Sequence, residues 1–352
     1  MLTYLKELCA LCGISGDEGA VRAYLTEKIA QFPDILEVKA DPLGNLLVHK
    51  KGKSPAKRTV MIGAHMDEVG LIVTEVLPDG TLAVAPVGGI EPDVVIGRAV
   101  QIPAMAGADH APYLGVVGTK PVHLLSAKER DEKPTADGLI VDLGTKDHDA
   151  TVDELGILPG DSVCYYSEWT PLGGGRVASK AIDDRFGCAA MLDMLRGEIA
   201  YDTWFAFFVQ EEIGLRGSQA AAYTITPDAA LILETTTAAD LDGVQGGAAV
   251  CRLGKGPVVS FMDRRTIYDK RLYRAAFQEA ERLGIPCQTK TRIAGGNDAG
   301  SVHISRGGVQ TMAISIPCRY LHAPYTVAQI SDIEQSRQLA GAMLPILHEM
   351  EQ

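Results

Sequence analysis

The sequence has no apolar run of 18 residues and no excess of positive charge, and each absence excludes a class of protein. A membrane-spanning helix needs about 20 apolar residues, so we expect no span and no membrane partner. The formal net charge is −12, which argues against a nucleic-acid partner because phosphates are neutralised by basic stripes. The N-terminus carries Glu7 and lacks a long apolar core, so a signal peptide is not expected.

Cysteine is scarce and irregularly placed. The chain has seven cysteines, and the Cys9-x-x-Cys12 pair has no second pair that would complete a zinc site. This pattern predicts a reduced protein in the cytoplasm. The sequence also lacks a Gly-x-x-x-x-Gly-Lys-Ser loop, an HExxH motif and a Gly-x-Ser-x-Gly motif, so the enzyme classes that depend on them are not indicated.

The 352 residues are enough for two domains. Helical periodicity and buried apolar runs alternate near both ends, with helices at 3–12, 181–195, 272–283 and 330–350 and strands at 59–64, 204–208, 229–233 and 309–316. Such alternation predicts an α/β sheet covered by helices. Short β-rich runs broken by Gly, Pro and Asp replace it between 69 and 166. We therefore expect one discontinuous α/β domain, 1–67 plus 167–352, with a β-rich domain inserted at 68–166.

Two adjacent carboxylates, Glu211 and Glu212, follow the apolar run 204–208. Neighbouring strand residues point to opposite sides, so one glutamate can bind a metal while the other handles a proton. A metal-bound water needs both a cation that lowers its pKa and a base that takes its proton. Taken alone, the pair is more simply explained as a solvated strand end.

Partners for this pair occur at other predicted strand ends. His65 and Asp67 close the strand 59–64. Residues two apart share a face, so Asp67 can hold one ring nitrogen of His65 and leave the other for a metal. Asp183 opens a helix in the Asp-Asp-Arg motif, where its two oxygens can bridge two cations. Glu234 ends the strand 229–233, and His322 lies in the loop after the strand 309–316.

These residues form a set with two histidines and three carboxylates: His65, Asp183, Glu212, Glu234 and His322. The set suits two divalent ions such as Zn, Co or Mn, about 3.5–4 Å apart. Each member alone has an ordinary structural explanation, but their joint occurrence at strand ends favours a ligand site. The glycine-rich segment 295–300, before His303, fits either a binding loop for a substrate carboxylate or carbonyl, or a plain helix cap.

The order of these motifs resembles the co-catalytic metallo-aminopeptidases, and among them the glutamyl/deblocking family that builds hollow tetrahedral particles. The matching motifs are His65-Met66-Asp67, Ala181-Ile182-Asp183-Asp184-Arg185, Glu211-Glu212-Ile213-Gly214, Glu234 and His322. The resemblance implies a three-layer, phosphorylase/hydrolase-like α/β catalytic domain and a β-rich, barrel-like dimerisation domain at 68–166. It also implies two metals bridged by Asp183, with His65 and Glu234 or His322 and Glu212 as end ligands. Glu211 would be the general base, and Asp67 would orient the ligands from behind without binding metal.

The function implied by the resemblance is release of N-terminal residues from short peptides by homodimers that assemble into a tetrahedral homododecamer. Two alternatives stay open: an amidase or deacylase acting on non-peptide amides, and a non-catalytic assembly protein. Carboxylate spacing alone does not exclude a glycosidase, but the histidines would then have no role. Many relatives carry Asp where this chain has Glu234, which leaves the metal preference open. The side-chain preference is not predicted.

Overall fold

A computed structural model describes residues 1–104, 110–126, 128 and 131–350. The helices found there are α1 (Leu2–Ala10), α2 (Gly19–Ile29), α3 (Pro92–Val95), α4 (Ile182–Arg196), α5 (Arg216–Ile225), α6 (Lys270–Leu283), α7 (Ala299–Val302) and α8 (Ile330–Glu349). The short turns are 3-10 segments at Val122–Leu124, Ala136–Gly138 and Gly246–Ala249 and a π segment at Ala150–Glu154.

The strands of the first half are β1 (Ile35–Ala40), β2 (Leu46–Lys50), β3 (Val60–His65), β4 (Gly70–Val76), β5 (Leu82–Val87), β6 (Ala99–Ile102), β7 (Tyr113–Thr119), β8 (Leu139–Asp142) and β9 (Ser162–Tyr165). Those of the second half are β10 (Thr170–Leu172), β11 (Arg176–Ser179), β12 (Thr203–Phe208), β13 (Ala229–Thr237), β14 (Val258–Val259), β15 (Gln288–Thr289), β16 (Gln310–Arg319) and β17 (Thr326–Gln329).

One large sheet organises the molecule. It has 11 strands in the order β1-β2-β12-β3-β13-β16-β17-β11-β10, with β14 and β15 beside it. The four middle strands β12, β3, β13 and β16 are parallel neighbours. Every residue of β3 is buried, as expected for a parallel strand covered on both faces. The carboxyl ends of these strands therefore meet at one edge of the sheet.

Helices cover both faces of this sheet. Along β3, Ile62 joins a core with residues of α1, α2, α4, α6 and α8, whereas Met61 joins a second core with residues of α5 and α7. Because successive strand residues face opposite sides, the two cores lie on opposite faces. The result is a helix-sheet-helix arrangement in three layers.

The inserted strands form a separate sheet. Strands β4-β5-β8-β7-β6-β9 close into a barrel around its own apolar core, which includes Leu71, Val100, Val117, Val141 and Val163. The predicted fold class, an α/β protein with an inserted barrel-like β-rich part, is confirmed. In the described part of the chain, none of the helices has the length and apolar character that a membrane span requires.

One strand differs from its expected length. Strand β13 continues through three threonines to Thr237, paired with β16 up to Cys318, because β-branched residues fit a paired strand well. Glu234 therefore lies inside β13, whereas the sequence pattern places it at the end of that strand. The predicted turn at 41–45 does join an antiparallel hairpin, β1 and β2.

Candidate metal centre

His65, the last residue of β3, faces two carboxylates. Its buried Nε2 atom lies 3.5 Å from Oδ1 of Asp183 and 3.7 Å from Oε1 of Glu234. Asp183 comes from the start of α4, where its backbone angles are not helical. We call His65, Asp183 and Glu234 the His65 position.

His322 makes the corresponding arrangement on the other side of Asp183. Its Nε2 atom lies 3.5 Å from Oδ2 of Asp183 and 3.3 Å from Oε2 of Glu212. These three residues, the His322 position, present ligand atoms within 4.8 Å of one another. Asp183 therefore offers one oxygen to each position. The structure brings together all five residues of the predicted ligand set.

Both imidazole rings are held by backbone carbonyls. The Nδ1 atom of His65 lies 3.0 Å from the Asp67 carbonyl oxygen, and that of His322 lies 2.8 Å from the Gly89 carbonyl oxygen. A carbonyl only accepts hydrogen bonds, so each Nδ1 carries the proton and each Nε2 is free to bind a metal. The carboxylate Oδ1 of Asp67 lies farther from the His65 ring, at 3.4 Å.

The carboxylate of Asp67 instead fixes the glutamate pair. It accepts hydrogen bonds from the backbone N–H groups of Glu211 at 3.0 Å and Glu212 at 3.1 Å, and from the Ser15 hydroxyl at 2.6 Å. Strand β12 ends at Phe208, so both glutamates lie in the turn beyond it. The expected strand alternation is therefore not what separates their side chains, and the turn held by Asp67 sets their directions.

The protein alone does not stabilise the charged forms of several carboxylates at this edge. Burial, reinforced by Asp183, raises the pKa of Glu212 to about 8, and burial raises the pKa of Glu234 to about 7. Burial also raises the pKa of Glu211 well above its ordinary value. In addition, Oδ1 of Asp183 and Oδ2 of Asp184 are buried without a hydrogen-bond partner. A set of oxygen and imidazole donors in which buried carboxylate oxygens lack partners fits divalent cations.

Sequence reasoning did not single out Asp184 as a possible ligand. Its carboxylate, with His65 and Glu234, also forms a group whose ligand atoms lie within 4.8 Å of one another. Burial and the nearby Glu234 raise its pKa well above the ordinary value. The sequence feature that could have indicated Asp184 is its position next to Asp183. A motif at a helix start does not show which of two adjacent acids faces the site.

A buried network of charged residues, which the sequence does not predict, lies beside the site. The Lys180 ammonium lies 2.7 Å from one Glu68 oxygen, and the Arg185 guanidinium lies 3.4 Å from the same oxygen. All three side chains are buried. Glu68 follows Asp67 directly, and Lys180 and Arg185 flank Asp183 and Asp184. The network therefore ties the two segments that carry the site to each other.

Replacing Glu68 with Ala is expected to destabilise the fold by roughly 3–5 kcal/mol, because it leaves two buried cations without their carboxylate. Calorimetry should show a melting temperature lower by several degrees. The matched control is Glu198→Ala, which removes the exposed partner of Lys53 and should leave the melting temperature nearly unchanged. Equal melting temperatures for the two variants would contradict a supporting role for the network.

The candidate metal centre opens into a cavity of about 720 Å³, and Gly295 and Gly296 are among the residues that line it. The segment 295–300 thus reaches the cavity with its first two residues and then enters α7. His303 points elsewhere, and its Nδ1–H donates to the Ala299 carbonyl oxygen at 2.9 Å.

The known proteins that this chain resembles are peptide-hydrolysing enzymes. Residues 44–339 match the M42 glutamyl aminopeptidase family, and the chain belongs to that family. It is similar to a lysyl aminopeptidase from Pyrococcus furiosus, with 34% identity over 352 residues that cover 99% of this chain and 97% of the relative.

Two solved structures show the same similarity. An aminopeptidase from the archaeon Desulfurococcus kamchatkensis has a TM-score of 0.89 and 32% identity, covering 99% of this chain and 95% of that one. The TET1 peptidase of Pyrococcus horikoshii, described as able to assemble into a tetrahedron or a large octahedral shell, has a TM-score of 0.84 and 29% identity, covering 99% of each chain. The predicted family is confirmed, and the chain is an aminopeptidase of that family.

Proposed function

We propose that the protein is a dinuclear metal-dependent aminopeptidase that releases N-terminal residues from short peptides. The observation that carries the proposal is the placement of Asp183, whose two oxygens face different histidine-carboxylate pairs. One metal ion would be held by His65, Glu234 and Asp183, and the other by His322, Glu212 and Asp183. Imidazole and carboxylate donors together suit Zn, Co or Mn.

When bound, the metals would supply Lewis-acid activation of a water molecule and of the scissile carbonyl. Glu211 would act as the general base. Its carboxylate lies within 4.8 Å of ligand atoms of His65 and Glu212, and burial raises its pKa, which favours proton uptake. It would accept the proton of the attacking water and pass it to the leaving amine. Asp67 would hold Glu211 and Glu212 in position by accepting hydrogen bonds from their backbone N–H groups.

The metal centre would also favour cleavage at a free N-terminus. A free α-amine held near one metal ion would place the first peptide bond at the metal centre. This restricts cleavage to one residue at a time. The names of the relatives favour peptide bonds over the non-peptide amides that the sequence left open. They do not fix the side-chain preference, because one family member is named lysyl and the family is described as glutamyl.

A peptide series of rising length, with free and N-acetylated ends, tests the proposal by mass spectrometry. We expect sequential loss of N-terminal residues from short free peptides only. Chelation should stop the reaction, and Zn, Co or Mn added singly should restore it. Internal fragments as first products, equal rates on acetylated peptides, or full activity of thoroughly stripped protein would overturn the assignment.

We further propose that the barrel, about 68–166, joins copies of the chain into homodimers and these into a tetrahedral homododecamer. Strand β7 exposes Leu114 and Val116, at 56% and 49%, on the outside of the barrel, while Gly115 between them is buried and Val117 beyond them faces the barrel core. Two exposed apolar side chains on the same face of one strand make this face a candidate interaction surface. All seven cysteines are free thiols, which fits the reducing cytoplasm. That location stays a prediction.

Leu114→Glu is expected to give a smaller species by light scattering, since a charge cannot be buried against a second apolar face without cost. Its matched control is Leu36→Glu on β1, another exposed leucine outside the barrel, which should keep the parental mass. A Leu114→Glu protein that still has the parental mass would contradict assembly through β7.

A further inference from the structure

Four basic side chains line the cavity that holds the metal centre: Arg264, Arg265, Lys290 and Arg292. We call them the basic wall. The chain as a whole carries a net charge of −12, so this clustering runs against the overall composition. One cavity thus has buried acids in one part of its lining and cations in another. A substrate that reaches both parts would have its first peptide bond at the metal centre and a negative group at the basic wall.

The cations of the wall have no carboxylate partner in the described part of the chain. Other arginines of the chain form salt bridges. The Nε atoms of Arg319 and Arg337 lie 2.7 Å from carboxylate oxygens of Asp240 and Asp193, respectively. In the wall, Lys290 donates to the Ala294 carbonyl oxygen, at 2.9 Å. The charge of the wall is therefore not used to hold the fold together.

Arg264 and Arg265 are carried by a turn that is fixed from inside. The buried carboxylate of Asp263 accepts hydrogen bonds from the N–H groups of Arg265 at 2.7 Å and Thr266 at 2.8 Å, and from the Tyr268 hydroxyl at 2.6 Å. These three bonds leave the turn little freedom. The arginine side chains are therefore presented to the cavity from a defined backbone.

The glycine loop makes room for Arg265. A Cβ atom added at Gly296 would lie 2.9 Å from both Cγ and Cδ of Arg265, and one added at Gly300 would lie 2.8 Å from its Cβ. The aliphatic stem of Arg265 thus lies directly on the backbone of segment 295–300. This gives the glycines of that segment a physical role: they allow an arginine to lie flat along the cavity lining.

We propose that the basic wall binds a carboxylate of the substrate and makes the enzyme selective for short peptides that carry one. The inference rests on the proposed aminopeptidase function, which places the substrate's α-amine at the metal centre. Guanidinium groups bind carboxylates through paired, charge-assisted hydrogen bonds. The carboxylate has two available sources, the side chain of an acidic N-terminal residue and the C-terminus of a very short peptide.

Two matched substrate pairs separate these sources. Glutamyl and glutaminyl p-nitroanilides have nearly the same shape and differ in side-chain charge. Leu-Gly-Gly and its C-terminal amide differ only in the terminal carboxylate. We expect the charged member of at least one pair to have a kcat/KM higher by roughly 10- to 100-fold, the range for hydrogen bonds to charged groups. The pair that shows the preference identifies the carboxylate that is bound.

Variants of the wall test its role directly. Arg265→Gln and Arg292→Gln should each reduce the preference, mainly through a higher KM, and Arg292→Glu should reduce it further. The control is Arg274→Gln on the exposed side of α6, which removes the same charge outside the cavity and should keep the preference. High salt should weaken the preference in the parent enzyme.

Two results would overturn the inference and leave the proposed function standing. One is a parent enzyme that cleaves both members of each pair within twofold of each other, in which case the aminopeptidase function stands and the basic wall does not select. The other is a preference that the double variant of Arg265 and Arg292 leaves intact. A protein that cleaves none of the unblocked substrates after metal loading refutes the proposed function itself, and this inference with it.

Discussion

Glu211→Gln is expected to lower kcat about 10²–10⁴-fold, the usual contribution of a general base, in a protein that still binds its metals. An amide has nearly the shape of the carboxylate but does not take a proton from water. The backbone N–H of residue 211, which Asp67 holds at 3.0 Å, is unchanged by the substitution. The loss should therefore come from the proton-transfer step and not from a rearranged turn.

The distinguishing measurement is metal content beside kcat, with Glu212→Gln as the matched neighbour. Glu212 faces His322 at 3.3 Å, so its substitution should lose metal at the His322 position as well as activity. If metal analysis instead showed loss in Glu211→Gln and retention in Glu212→Gln, the two roles would have to be exchanged.

Asp183→Asn is expected to abolish activity and to weaken both metal positions at once. Asp183 is the one member of the ligand set whose two oxygens face different histidines, His65 and His322. An asparagine has one carbonyl oxygen and no negative charge, so it serves at most one cation and serves it weakly.

Titration of metal into stripped protein against a competing chelator checks this expectation. Glu234→Gln and Glu212→Gln are the controls, and each should lose one of two binding events, whereas Asp183→Asn should weaken both. Two unchanged binding events in Asp183→Asn would show that the residue does not bridge, and Asp184, within reach of His65 and Glu234, would become the alternative.

The sequence allowed the strands and the five candidate ligands to be predicted because both depend on local patterns. Buried parallel strands appear as apolar runs, and polar residues after such runs collect at one edge of the sheet. The extent of β13 was missed because threonines that follow Glu234 suit a strand or a loop equally well until the partner β16 is known.

Contacts between distant segments could not be read from the sequence. The turn that holds Glu211 depends on Asp67, 144 residues away, and the buried network depends on Glu68 and Lys180, 112 residues apart. The basic wall likewise joins the pairs 264–265 and 290–292, which are adjacent only after folding. An isolated pair of basic residues is typical of any solvated surface.

The hydrogen bond from the His322 ring to the Gly89 carbonyl joins two parts of the molecule that the sheets keep apart. Gly89 lies just after β5 of the barrel, whereas His322 follows β16 of the large sheet. Any change that moves the barrel alters the free energy of placing that ring. Metal binding at the ring and the placement of the barrel are then linked. By thermodynamic reciprocity, each changes the equilibrium of the other by the same factor. If the barrel joins subunits as proposed, assembly and metal affinity would accordingly be coupled equilibria, and dilution into separate subunits would change the metal affinity.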